Sequence, residues 1–270
     1  MRDGHVFSAS QVETVEKCPR QFGYRYAQRL KSKLPRGVEA FMGTRVHAIA
    51  ERAEHHWALH HAVPTVEAML GVFRREWTEN MPAAGLHVAK RGMKVADYLE
   101  IGERCVRHLA RVVPLQAHHP NARVIGLEVP LYFSVGGHSF MGYVDHLSTD
   151  DAGTFRVSDF KTSARPKSQA EANADTQLGL YELGLRQTYD AADVTLTWEF
   201  VATGTTVHST RTKEQREALE AKVAGIVAKA IRTYRRQARE HKTTEQAWPA
   251  RPSPLCGWCD YRDVCPDSRR

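Results

Sequence analysis

Hydrophobic positions recur at helical spacing in both outer parts of the chain and at two-residue spacing through its middle. Ser10 with Glu13 three residues on reads as a capping box that opens a short helix, and Cys18-Pro19 breaks it. A second helical stretch covers Arg20 to Gln28, and the polar run Lys31–Gly37, with Pro35 and Gly37, reads as a loop. Helices are then predicted over Ala40–His61, Thr65–Asn80 and Lys90–Val113, with a break from Pro114 to Pro120 that carries His118-His119. There the period changes. Arg123–Phe133 is rich in Val, Leu, Tyr and Phe, Gly136-Gly137 is a hairpin signal, and Ser139–Leu147 returns as a second strand. Asp150-Asp151-Ala152-Gly153 turns the chain into a third strand, Thr154–Lys161. A helix over Ala170–Gln187, strands at Val194–Ala202 and Thr206–Thr210, and one long helix over Thr212–His241 complete the series. From Trp248 the chain carries Pro249, Pro252 and Pro254 and three cysteines, so something other than a core holds it.

This order of helices, strands, helix, strands and helix predicts an α/β (α+β) protein with a central mixed sheet flanked by helices. Its 270 residues suffice for one large domain or two small ones. With 42% hydrophobic and 26% charged residues, a disordered chain, a fibrous repeat and a disulfide-stapled miniprotein are excluded. No apolar run approaches the ~18 residues of a membrane span, and the start shows no apolar secretory segment. The expectation is a cytoplasmic protein with no membrane partner. A net charge of +7 suggests an anionic partner, without naming it.

The strongest chemical signal is Asp159-Phe160-Lys161 at the end of the third strand. Alternation puts Phe155, Val157, Asp159 and Lys161 on one face, and Met141, Tyr143 and Asp145 on one face of the strand before. Antiparallel pairing brings Asp145 near Asp159. Two close carboxylates repel unless a cation lies between them, and magnesium or manganese suits oxygen ligands. Gly43, His47 and Glu51 recur every four residues along one helix face, as do Gln177 and Tyr181. An imidazole from His47 tilts the choice towards manganese. Each of these patterns alone is commonplace; their combination in this order is not. Glu51 is a weaker candidate, Glu128 reads as a solvated strand residue, and the pair His56 and His60 lacks the glutamate of a zinc helix motif and reads as a polar helix face.

Of the five cysteines, Cys105 sits within a helical pattern as a small core residue. Cys256, Cys259 and Cys265 form C-x2-C-x5-C, and Cys18 is the candidate fourth ligand. Four thiolates suit either tetrahedral zinc or an iron–sulfur cluster, and ligand count does not separate them.

The series Gly43-x3-His47-x3-Glu51, Gly142-Tyr-Val-Asp145, Asp159-Phe-Lys161-Thr162 and Gln177-x3-Tyr181 resembles the PD-(D/E)XK nucleases of the RecB-like type. Phe7-Ser-Ala-Ser10, Cys18-Pro19-Arg20 and the closing cysteines resemble the iron–sulfur branch of that group, which includes the AddB nuclease domain and CRISPR adaptation exonucleases. The resemblance runs from about residue 7 to 266 and implies a restriction-endonuclease-like core with an iron–sulfur subdomain joining the termini. It implies a 4Fe-4S cluster on Cys18, Cys256, Cys259 and Cys265, and a nuclease Mn2+ or Mg2+ site on His47, Asp145 and Asp159, completed by the carbonyl of Phe160. On this expectation Lys161 would orient the attacking water or stabilise charge on the phosphate, and Gln177 and Tyr181 would orient Lys161 or a phosphate oxygen. Many relatives carry Glu at the position of Asp159, an interchangeable ligand.

The expected organisation is residues 1–40 as a helical, basic segment, 41–247 as the nuclease core and 248–270 as the cysteine tail. Between Lys17 and Arg36 seven Lys/Arg occur without an acid, with Phe22, Tyr24 and Tyr26 among them. Cations interleaved with aromatics suit a single DNA strand, which makes Arg20, Tyr24 and Arg25 candidate DNA contacts, together with Arg165 and Lys167 after the active-site strand. A helix with one apolar and one solvated basic face accounts for the same pattern. The functional expectation is a metal-dependent DNA exonuclease on single strands or ends, of the repair and recombination kind, partnered by a helicase or a recombination or adaptation protein. The competing reading is a non-cleaving DNA-end-binding accessory subunit.

Overall fold

The computed structural model describes residues 4–117 and 123–268 and divides into two compact units. One comprises the chain up to Leu34, Leu131–Gly142 and everything from Arg211; the other comprises Pro35–Pro130 and Tyr143–Thr210. His118-His119 lies outside the described residues.

A five-stranded mixed sheet has the order β1-β2-β3-β4-β5, with β1 at Arg123–Val135, β2 at His138–Thr149, β3 at Phe155–Lys161, β4 at Val194–Phe200 and β5 at Thr205–Ser209. β2 runs antiparallel to β3, β3 parallel to β4, and β4 antiparallel to β5. Gly136 and Gly137 both take positive φ (55° and 78°), as a two-residue hairpin turn with right-handed strand twist requires.

In the second unit, α3 (Val38–His60), α4 (Val66–Glu79) and α5 (Val95–Ala117) enclose a core of Phe41, Val46, Ile49, Phe73, Trp77, Cys105 and Leu109. Cys105 is fully buried there, which pushes its thiol pKa up to about 12. Phe160 of β3 enters the same core at 1% exposure. Strand alternation therefore turns its neighbours Asp159 and Lys161 to the other side of the sheet. α5 runs past Pro114 to Ala117, so the expected break there does not end the helix. The helix expected over Ala170–Gln187 is two: α6 (Gln169–Asn173) and α7 (Thr176–Tyr189). The Asp175 carboxylate accepts from Leu178 N at 2.9 Å and starts α7 afresh, which places Gln177 in its first turn.

The first unit contains α1 (Ala9–Lys17), α2 (Pro19–Phe22) running on into a π-turn at Gly23–Ala27, α8 (Lys213–Arg239), α9 (Thr244–Ala247) and a 3-10 turn at Pro254–Trp258. α1 starts at Ala9 behind Ser8 rather than at Ser10; Ser10 lies inside the helix, and Glu13 pairs with Lys17 at 3.2 Å instead of closing a capping box. The buried Trp248 ring packs on Phe22 at 5.3 Å. Gly23 permits this: a Cβ there would meet the Trp248 ring at 2.7 Å.

Candidate active site

One unit carries every residue of the expected metal site. α3 presents His47, β2 presents Asp145, β3 presents Asp159 and Lys161, and α7 presents Gln177 and Tyr181. His47 Nδ1 lies 3.4 Å from Asp145 Oδ2, and that oxygen also accepts from the backbone N–H of Phe160 at 2.9 Å. The Phe160 backbone acts on the His47 ring and raises its pKa against the larger effect of burial. Burial holds the His47 pKa below its ordinary value, which favours the neutral, ligating imidazole. Burial first, and the Asp159 charge second, raise the Asp145 pKa well above the usual carboxylate range.

Among the described residues, the ligand atoms of His47, Asp145 and Glu128 lie within 4.8 Å of one another. Glu128 is exposed, as expected of a solvated strand residue, and its carboxylate lies at the edge of this group. Its φ of +48° is the left-handed region that few non-glycine residues adopt, and this local irregularity re-aims the side chain out of regular alternation. Burial, then Glu51 and Asp159, raise its carboxyl pKa. Gly126 and Pro130, misplaced in a regular strand, were the signal in the sequence for that irregularity. A cavity of about 450 Å3 opens beside these groups, lined by Gly43, His47, Glu51 and Glu128 among others.

Asp159 is 1% exposed and turns its oxygens to Lys161 Nζ (2.5 Å) and Gln177 Nε2 (2.8 Å). Gln177 Oε1 accepts from Lys161 at 3.2 Å, and Gln177 Nε2 also reaches the Tyr181 hydroxyl at 2.8 Å. Tyr181 in turn donates to the Tyr143 carbonyl at 2.5 Å. Lys161 is thus fixed by α7 from one side. The Trp198 ring, whose centroid lies 4.2 Å from its Nζ, fixes it from another. One position along β2 from Asp145, His146 Nδ1 pairs with Glu54 Oε1 at 2.8 Å, both groups being buried.

The other unit holds the four cysteines besides Cys105. Cys18, Cys256, Cys259 and Cys265 are unpaired thiols lining one cavity of about 460 Å3. Burial raises the Cys259 pKa, and the charges of Cys18 and Cys265 add to the shift. Two expected DNA contacts are structural instead. Arg20 is buried, and its guanidinium donates to the Trp248 carbonyl (3.1 Å), the Glu245 carbonyl (3.0 Å), Asp267 and the Cys265 sulfur. Tyr24 is buried too, with its hydroxyl on Glu245 at 2.5 Å and its ring beside Tyr261. A helix that packs against the tail turns these side chains inwards, so neither presents a surface to a nucleic acid. Arg25 is exposed and pairs loosely with Asp260 at 3.4 Å; Arg165 is 85% exposed beside Glu171.

A histidine beside paired acids, with a lysine locked to one of them, forms a candidate metal site on a mixed sheet. The chain belongs to the PD-(D/E)XK nuclease superfamily, whose family model matches residues 6–266. Among solved structures, a protein of Eubacterium rectale described as "Putative exonuclease" shares the fold with a TM-score of 0.51, at 12% identity over 86% of this chain and 82% of that one. A second, SSO0001, has a TM-score of 0.43 at 14% identity over 98% of this chain and 88% of that one. No curated protein matches the chain in sequence. No helix among the described residues is long and apolar enough to cross a membrane.

Proposed function

We propose that this chain is a divalent-metal-dependent deoxyribonuclease, an exonuclease on single-stranded DNA or DNA ends that carries a structural 4Fe-4S cluster. The observation that carries the nuclease reading is the convergence of His47, Asp145 and Glu128 beside the Asp159–Lys161–Gln177 network. One neutral imidazole and mutually repelling carboxylates fit Mn2+ or Mg2+, with Asp159 and the Phe160 carbonyl as further donors. A divalent cation held by His47, Asp145, Asp159 and Glu128 would supply Lewis acidity for activating water and polarising the phosphate. Lys161 is the residue that orients the attacking water and meets the charge developing on the phosphate. Gln177 and Tyr181 keep its ammonium at that place. Arg25, Arg165 and Lys167 are the exposed or half-exposed cations assigned to the DNA strand. End-labelled single- and double-stranded DNA, incubated with Mn2+ or Mg2+, tests this: a ladder shortening from one end is expected, and intact DNA with every metal refutes it in favour of an end-binding accessory subunit.

The cluster reading rests on the shared cavity of the four thiols. Four thiols around one cavity of about 460 Å3 supply the ligand set of a cubane with room for it. Protein prepared without oxygen is expected to be brown and to contain iron and sulfide in equal amounts; colourless, zinc-loaded protein refutes the cluster. Partners of the helicase, recombination or adaptation kind follow from the need of such an enzyme for opened or processed ends.

A further inference from the structure

Lys167 is built into the active site in the same way as Lys161. Both ammonium groups lie over the ring of Trp198, at 4.2 Å for Lys161 and 4.6 Å for Lys167. Each is paired with a buried carboxylate, Lys161 with Asp159 and Lys167 with Asp175. Trp198 is 1% exposed and stands opposite Asp159 in the β3–β4 register, so it cannot drift from the catalytic strand. Asp175 is fixed as well, because it caps α7. The two lysine side chains are 29% and 36% exposed. Each ammonium has three donors; Lys161 gives two to Asp159 and Gln177 and Lys167 one to Asp175, which leaves donors on both for phosphate oxygens.

We propose that Lys167 and the Trp198 platform form a second phosphate subsite, which takes the phosphodiester next to the one being cleaved. Sharing one ring puts the two ammonium groups less than about 9 Å apart, a span that reaches from one phosphodiester to the next along a strand. Lys161 meets the scissile phosphate and Lys167 its neighbour, so the pair sets the register in which the strand enters. Lys167 is a binding residue here, and its effect is on substrate position rather than on the chemical step. The subsite rests on the nuclease reading but makes a separate demand on the substrate.

The test is a chemical cycle. Lys167→Gln and the unaltered protein are compared on oligonucleotides in which single phosphodiesters on either side of the scissile bond are replaced by neutral methylphosphonates. Lys167→Gln is expected to raise KM roughly tenfold and to lower the salt slope of binding by about one. At one neighbouring position the neutral linkage costs the unaltered protein a similar factor and costs Lys167→Gln nothing more. Lys167→Arg restores most of the loss. If the two losses multiply at every position, or if Lys167→Gln binds and cleaves as the unaltered protein does, the subsite is wrong. Failure of the unaltered protein to cleave any oligonucleotide would instead overturn the nuclease reading. The same cycle read by fluorescence anisotropy with Ca2+ then still decides the subsite.

Discussion

Glu128→Gln is expected to make the metal-free protein more stable and to shrink the stabilisation that Mn2+ adds. The carboxylate oxygens of Glu128 and Asp145 lie within 4.8 Å. Two unit charges at that distance repel by about 3.5 kcal/mol at an effective dielectric of ~20 and by about 0.9 kcal/mol in water. Glu128 is more than a third exposed, so solvent screening puts the figure near the lower end, about 1–2 kcal/mol. Both carboxyls have folded pKa values raised above their ordinary ones. A raised carboxyl favours the folded state most when it is protonated. The metal-free protein therefore loses stability as pH rises from the ordinary carboxylate range through the raised values. Mn2+ at a hundred times its Kd returns about 2.7 kcal/mol. Losing a ligand weakens the site by at least the 10–100-fold seen for outer partners, which leaves about 0.4–1.4 kcal/mol at the same concentration. Urea unfolding midpoints at pH 4 and pH 7, each with EDTA and with Mn2+, read all four values. Equal midpoints for the two proteins with EDTA at pH 7, together with an equal Mn2+ shift, would refute the placement of Glu128 at the metal.

Three further outcomes follow from the geometry. Lys161→Ala keeps Mn2+ binding, measured by calorimetry, but loses cleavage by about 10²–10³ fold; undiminished cleavage would remove Lys161 from its role. Glu54→Leu and His146→Leu each destabilise by about 3 kcal/mol by orphaning a buried partner. The double variant falls short of their sum by about 1.5–3 kcal/mol, whereas strict additivity in urea midpoints would show that the pair is not coupled. Arg20→Gln loses iron on gel filtration faster than the unaltered protein, and Arg20→Lys, which keeps the charge but not the planar fork, recovers only part of it; equal retention in all three would separate Arg20 from the cysteine site.

The succession of elements was legible because their periods differ sharply, with helical spacing around a stretch of alternation. The site was legible because Asp159, Lys161, Gln177 and Tyr181 sit at spacings that regular strands and helices turn directly into shared faces. Glu128 escaped for the opposite reason. Its place depends on one residue in the left-handed region, which breaks the alternation that the reading relied on. Arg20 and Tyr24 were misread because charge and aromatic content say nothing about which face of a helix the distant tail will cover. The break at Asp175 was missed because Ala170–Gln187 keeps helical spacing across it, while the capping carboxylate wins locally.

The unit that contains the cysteines draws its chain from the beginning, a short middle segment and everything after Arg211, whereas the unit with His47, Asp145 and Asp159 is complete at Thr210. Synthesis runs in one direction at ~5–20 residues per second, so Cys18 emerges about 12–50 s before Cys265. During that interval the catalytic unit has all its sequence and the cysteine unit does not. The first thiol waits unaccompanied until the other three follow, so the cysteine site closes only after every residue of the other unit has been made.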